Sequence, residues 1–120
     1  MANVRSYYVS SALLASLICT ASLRGDESSI SKKAFEIAVK PFLNEYCSKC
    51  HGVGKPKGKR RFDTLSAVIQ DDDRLVDFQD ILDQLKLGEM PPRKEPQPSA
   101  SEQQAAIDWL TRNIDVYLQN

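Results

Sequence analysis

The stretch Cys47-Ser48-Lys49-Cys50-His51 constrains this chain more than any other. Two cysteines separated by two residues and followed directly by a histidine are typical of a c-type haem attachment site. On one helical turn, the two thiols can reach two vinyl groups of a porphyrin while the adjacent imidazole turns toward the iron. We therefore predict one covalently attached haem c, with thioether bonds to Cys47 and Cys50 and with His51 as the proximal iron ligand.

Two other kinds of site use similar cysteine pairs. A structural zinc site needs four ligands, whereas the chain has a single histidine and three cysteines, one of which, Cys19, lies in a segment typical of an export signal. A thioredoxin-like dithiol site requires strands alternating with helices, and the sequence shows no such pattern. The haem interpretation is favoured over both alternatives, which stay open at this point.

The amino-terminal segment has the layout of a secretory signal peptide. Arg5 precedes an apolar run, and Cys19 and Ala21 place small residues at the two positions that a signal peptidase recognises. We predict a signal peptide at 1–21 and an exported, periplasmic or otherwise extracytoplasmic protein. The run is short for a membrane span of about 20 residues, so no stable span is expected after cleavage. An uncleaved anchor is the alternative.

Composition favours one globular domain. The chain has 120 residues, 42% of them hydrophobic, and a formal net charge of zero. This length leaves no room for a second core, and a nucleic-acid-binding domain would show a basic balance. We expect a flexible polar leader at 22–30, a domain at 31–120 and no nucleic-acid partner.

The first predicted helix of the domain leads into the cysteine motif. Ser31 is the expected N-cap, and apolar residues then recur at spacings of three and four. Pro41 interrupts this helix, because its ring collides with the carbonyl four residues earlier; it should kink the helix or begin a fresh first turn. The apolar residues of this helix are Phe35, Val39, Phe42, Leu43 and Tyr46.

Three further helices are predicted after the motif. Asp63 should cap a short one, three aspartates at 71–73 begin a longer one that ends at Gly88, and Ser99 with Glu102 forms a capping box for the last. No segment alternates as a strand does, so the fold class is all-α. The predicted apolar faces contain Leu65, Val68 and Ile69, then Leu75, Phe78, Ile81, Leu82 and Leu85, then Ile107, Trp109, Leu110, Ile114, Tyr117 and Leu118, with Trp109 and Tyr117 expected near Phe35 or Phe42.

The second informative stretch is Glu89-Met90-Pro91-Pro92. A thioether is a good sixth ligand for haem iron and raises its reduction potential. Two prolines after Met90 restrict the backbone and would hold the side chain at a fixed reach. We predict that Met90 is the distal iron ligand; packing in the core is the alternative.

A basic loop follows the motif, from Lys55 to Arg61. Such a loop is usually a solvated surface, but near a haem edge its charges could steer an acidic redox partner or pair with the propionates. The region of Pro56 could also offer a carbonyl to the outer nitrogen of His51.

Taken together, several segments resemble the planctomycete-type cytochrome c domain, within the broader class I cytochrome c fold. These are FLNEYCSKCHG, FDTL, ILDQLKLGEMPP, PQPS and a closing IDWL helix, from about Phe35 to the C-terminus. The resemblance implies an all-α haem domain of three to five helices, with His51 and Met90 as axial ligands. Domains of this kind commonly stand at the front of much larger proteins.

The sequence therefore predicts an exported mono-haem c-type cytochrome that carries single electrons between ferric and ferrous states. No acid, base or nucleophile constellation indicates an enzyme in its own right. One alternative is a haem sensor or peroxidase-like domain with a labile sixth ligand. Another is a truncated electron-entry module of a larger redox protein.

Overall fold

The computed structural model describes residues 21–54 and 56–120, with side chains from residue 25 onward. The predicted signal peptide, apart from Ala21, lies outside the described residues, as does Lys55 of the basic loop. Within the described part, no helix combines the length and the apolar character that a membrane span requires.

All regular elements of the described residues are helical, which confirms the all-α fold class. They are α1 (Ala21–Ala34), a π-helical turn (Phe35–Val39), α2 (Lys40–Tyr46), α3 (Ser48–His51), a 3-10 turn (Lys57–Lys59), α4 (Asp72–Leu87) and α5 (Ala100–Leu118).

The first helix begins earlier than the sequence predicted. The chain is already helical at 22–30, where we expected a loose leader, and Ser31 lies inside the helix rather than at its N-cap. No proline interrupts this segment, and Leu23, Arg24 and Glu27 favour helix, whereas Gly25 does not. The Ser31 hydroxyl instead donates to Asn113 Oδ1 at 2.7 Å, which ties this helix to α5.

Pro41 is accommodated by the π-helical turn that precedes it. The Lys40 N–H donates to the carbonyl of Phe35, five residues back rather than four. The wider turn changes the hydrogen-bond register immediately before the proline, which has no N–H to donate. Helix α2 then starts with Pro41 in its first turn. Of the two predicted outcomes at Pro41, the structure shows the fresh first turn.

Helix α4 has the predicted boundaries. The Asp71 side chain accepts the N–H of Arg74 at 2.9 Å, so the N-terminus is capped as expected for this aspartate run. At the other end, Gly88 adopts a left-handed conformation with φ of 68°, which glycine reaches without a steric penalty. Its N–H bonds back to the carbonyls of the last turn.

The predicted short helix after Asp63 is wrong. Residues 63–70 form turns without a helix, and Asp63 pairs with Arg61, whose Nη2 lies 2.6 Å from its Oδ2. Leu65 is buried as expected, but Val68 is 50% exposed. A stretch this short can form little more than one turn, and the cost of nucleating a helix exceeds the gain from so few hydrogen bonds.

The core lies where α5 packs against α4 and the π-helical turn. Trp109 is its centre: its ring centroid lies 5.0 Å from that of Phe35 and 5.7 Å from that of Phe78. The indole N–H donates to the Ser31 carbonyl at 2.9 Å, so the one polar atom of this buried ring is satisfied. The expected contact of Trp109 with Phe35 is confirmed, whereas the Tyr117 hydroxyl reaches Asp72.

Most predicted apolar positions belong to this core. Leu118, at 61% exposed, is an exception together with Val68. The buried hydrophobic residues are Phe35, Val39, Phe42, Leu43, Phe62, Leu65, Leu75, Phe78, Ile81, Leu82, Leu85, Ala106, Trp109, Leu110 and Ile114.

The capping box of α5 provides a test of this local structure. Ser99 accepts the Glu102 N–H, and the Glu102 carboxylate accepts the Ser99 N–H at 2.8 Å. We expect Ser99→Ala to lower the free energy of unfolding by about 1 kcal/mol, because an N-terminal donor of the helix loses its partner. Ser28→Ala, the same change at an exposed position inside α1, is the control. Equal denaturant midpoints for the two variants would contradict this role of Ser99.

Candidate haem attachment site

The cysteine motif forms one tight turn at the end of the first helical segment. Cys47 lies between α2 and α3, and its N–H donates to the Leu43 carbonyl at 3.0 Å. Its own carbonyl accepts the N–H groups of Cys50, at 3.1 Å, and His51, at 2.9 Å. Helix α2, which contains Phe42 and Tyr46, therefore runs directly into the motif. The three predicted site residues lie within one turn of backbone.

Gly52 ends this turn and leaves no room for a side chain. It is buried, and a Cβ atom at this position would collide with the carbonyl oxygen of Ser48. Any other residue would have to push this backbone apart, directly beside His51. The sequence analysis did not single out Gly52, although its place immediately after the motif was a signal for such a constraint.

The two thiols are free and half-buried. Burial, together with the nearby Cys50, raises the pKa of the Cys47 thiol to about 11. At neutral pH this thiol is therefore protonated, and a protonated thiol is a poor nucleophile in disulfide exchange. This environment differs from that of the catalytic cysteines of dithiol oxidoreductases, in which the thiol pKa is lowered.

The imidazole of His51 is held by an aromatic ring. Its centroid lies 4.7 Å from that of Phe62, with 29° between the two planes, and the Phe62 N–H donates to the His51 carbonyl at 2.7 Å. Nδ1 of His51 is buried and has no hydrogen-bond partner among the described residues. Because Nδ1 has no partner in this part of the chain, the contact suggested for the region of Pro56 is not formed; the Pro56 carbonyl accepts the N–H of Lys59 instead.

These side chains fit a covalently held haem. Both thiols are free of disulfide bonds, and the imidazole makes no side-chain hydrogen bond within the described residues. In the same part of the chain, no three histidine, cysteine, aspartate or glutamate side chains come together as a group that could hold a metal ion. The donor set therefore matches two thioether bonds and one nitrogen ligand better than it matches a zinc site.

Met90 lies in the loop between α4 and α5. Its side chain is 42% exposed and is not part of the hydrophobic core, while the following Pro91 is buried. Gln97 braces this loop, because its side-chain amide nitrogen donates to the carbonyls of Pro92 at 2.9 Å and Pro91 at 3.3 Å. The Met90 backbone is thus braced by neighbours. Its role as an iron ligand stays a prediction.

An ion pair links the motif to this loop. Lys49 Nζ lies 2.6 Å from Glu95 Oε2, which joins α3 to the chain five residues beyond Met90. The hydrogen bond and charge of Lys49, with smaller contributions from Lys94 and Lys57, hold the pKa of the Glu95 carboxyl below its ordinary value. Sequence analysis missed this link, because nothing in the spacing pairs residues 46 positions apart.

The basic loop is partly neutralised by the protein itself. Arg60 forms ion pairs with Asp80 and with buried Asp77, whose Oδ1 lies 2.9 Å from Arg60 Nη1. Asp77 also pairs with Arg74 at 3.2 Å. Arg61 pairs with Asp63, as described above. Lys57 and Lys59 are exposed.

Comparison with known proteins supports the resemblance seen in the sequence. Residues 47–94 match the family model of the Planctomycete cytochrome C. The comparisons with curated proteins and with solved structures return no match. The matched segment begins at the first motif cysteine, includes His51, Phe62 and Met90, and ends just beyond the proline pair. Over residues 47–94 the chain is therefore similar in sequence to the planctomycete cytochrome c family.

Proposed function

We propose that this protein is an exported mono-haem c-type cytochrome that passes single electrons between redox partners. The observation that carries the proposal is the one-turn arrangement of Cys47, Cys50 and His51 inside the segment that matches the cytochrome family. A bound haem supplies a one-electron couple between ferric and ferrous iron. The chain supplies two thioether anchors, the proximal nitrogen ligand and the surrounding apolar packing.

Met90 is the proposed second axial ligand. It lies in the family-matched segment, after the left-handed cap of α4, and the Gln97 bonds to Pro91 and Pro92 brace its loop. The Lys49–Glu95 ion pair supports this proposal, since it keeps the connector that follows Met90 next to α3. A thioether ligand favours the ferrous state and so raises the reduction potential.

The second candidate function is a haem sensor or peroxidase-like domain with a labile sixth ligand. The observation in its favour is the exposure of Met90, 42% of the side chain, in a loop rather than in the core. The family indicates electron transfer rather than catalysis. We therefore rank the electron carrier first, and the behaviour of a Met90 variant separates the two candidates.

We further propose that an acidic redox partner docks on the basic loop from Lys55 to Arg61. Within the described part of this loop, the ion pairs assign different roles to its charges. Arg60 and Arg61 hold the loop against Asp77 and Asp63, so their charge is largely used inside the protein. Lys57 and Lys59 are exposed and would contribute most to attraction at a distance.

The first prediction concerns covalent attachment. Expressed with haem-maturation machinery, the protein should carry haem that stays with the polypeptide after denaturation, because thioether bonds are covalent. The Cys47→Ala, Cys50→Ala double variant should lose this haem. The denatured protein is extracted with acid acetone, and the absorbance of the remaining polypeptide measures the haem that stays attached. Haem that resists extraction from the double variant would refute attachment at these cysteines.

The second prediction concerns Met90→Ala. Loss of the thioether should open the sixth position, speed cyanide binding and lower the reduction potential. The fold should survive, because Met90 is 42% exposed and outside the core. The cyanide binding rate is measured by stopped flow, the reduction potential by redox titration and the stability by thermal unfolding, all on one sample. A packing methionine would give the opposite pattern, a loss of about 2–5 kcal/mol in stability with unchanged ligand access.

The third prediction concerns docking. Lys57→Gln with Lys59→Gln should slow oxidation of the reduced protein by anionic ferricyanide, by about tenfold at low ionic strength. The effect should shrink as salt screens the charges. Lys32→Gln with Lys33→Gln makes the same charge change on exposed α1 and serves as the control. Docking at the basic loop would be disproved if both pairs changed the rate equally.

A further inference from the structure

We propose that Phe62 is a positioning residue for the proximal ligand: its ring packs on the His51 imidazole and limits the rotation of that ring. The inference rests on the proposed haem function and deepens it. It concerns a residue 11 positions beyond His51, in the loop that follows the motif. Three observations on the described residues carry it.

The first observation is that, within the described part of the chain, the imidazole of His51 lacks a hydrogen bond at Nδ1. A metal-ligating histidine usually donates its second ring N–H to a carbonyl or carboxylate, and this bond fixes the orientation of the ring. Here Nδ1 is buried without a hydrogen-bond partner among the described residues. Among the described residues, no side-chain hydrogen bond of His51 at Nδ1 therefore fixes the rotation of the ring.

The second observation is the stacked ring of Phe62. The centroids lie 4.7 Å apart and the planes differ by 29°, so one face of the imidazole is covered by the phenyl ring. Rotation of the imidazole about χ2 would push its edge into that ring. Stacking of two aromatic rings adds to the stabilisation that their buried area provides, so it favours the imidazole orientation that keeps the two faces in contact.

The third observation is that Phe62 cannot easily move away. Its side chain is 9% exposed and belongs to the hydrophobic core. Its N–H donates to the His51 carbonyl at 2.7 Å, so the two residues are joined by backbone as well as by their rings. The next turn also starts from Phe62, whose carbonyl accepts the Leu65 N–H at 3.3 Å. The phenyl ring therefore stays in place and limits the rotation of the imidazole.

The orientation of the imidazole plane determines how ligand and iron orbitals overlap. For a bound haem, this orientation is reported by the g-values and by the paramagnetically shifted methyl resonances of the ferric protein. A residue that only fills the core would change stability and leave those spectra alone. The two roles of Phe62 can therefore be separated by experiment.

The test compares Phe62→Leu, Phe62→Tyr and the parent in the haem-loaded protein. We expect Phe62→Leu to shift the g-values and the spread of the haem methyl resonances, because the stacked ring is gone. Phe62→Tyr keeps a ring and should restore the parent pattern. Phe35→Leu is the matched control: this buried phenylalanine packs on Trp109, so it should lose stability without a spectral shift. Phe62→Met replaces the leucine variant if the latter does not mature.

Two results have different meanings. If the Phe62 variants without a ring show the parent spectra while losing as much stability as Phe35→Leu, the positioning role is overturned and the electron-carrier proposal stands. If the parent protein itself binds no haem covalently, the proposed function fails first and this inference falls with it.

Discussion

The carbonyl oxygen of Cys47 holds the site together, because it accepts the N–H groups of both Cys50 and His51. The Cys50 N–H bonds to the carbonyl three residues back and the His51 N–H to the same carbonyl four residues back, so the spacing of two residues places both cysteines on one turn. Both thiols and the imidazole are then fixed to a backbone unit of five residues. The rest of the described chain keeps this unit in place, with α2 on one side and the segment around Phe62 on the other.

Polar side chains that the hydrophobic pattern does not reveal connect this unit and the loops beyond it. Lys49 of the unit reaches Glu95, Arg60 of the basic loop reaches Asp77 in α4, and Gln97 bonds to the carbonyls of the proline pair. An exposed ion pair such as the first contributes only about 0–1 kcal/mol, so it orients the connector more than it stabilises the fold. Buried Asp77 differs, since loss of its arginine partners would leave a charge away from water.

The sequence predicted regular structure well where local chemistry determines it. The aspartate cap and glycine stop of α4 and the capping box of α5 depend on residues within a few positions of each other, and all are confirmed. Ser31 was misjudged for the opposite reason. Its hydroxyl and carbonyl are used by α5, 78 residues or more away, while the chain before it continues as helix. The prediction of a helix after Asp63 failed because apolar spacing over seven residues cannot distinguish a helix from a turn.

The same distinction applies to the site. Cys47, Cys50 and His51 were recognisable because their chemistry lies in one short motif, whereas Gly52 and Phe62 act through a close backbone approach and a ring contact that depend on the folded loop. This difference also separates the two sides of the proposed haem site. His51 is held by a helical turn, a buried ring and a backbone hydrogen bond, so its displacement requires the core near Phe62 to open. Met90 is held by a loop whose known contacts are polar and partly exposed. Segments with few buried apolar contacts open at lower free energy than core elements. If Met90 is the second axial ligand, as proposed, ligand exchange should therefore begin at Met90 while His51 stays bound.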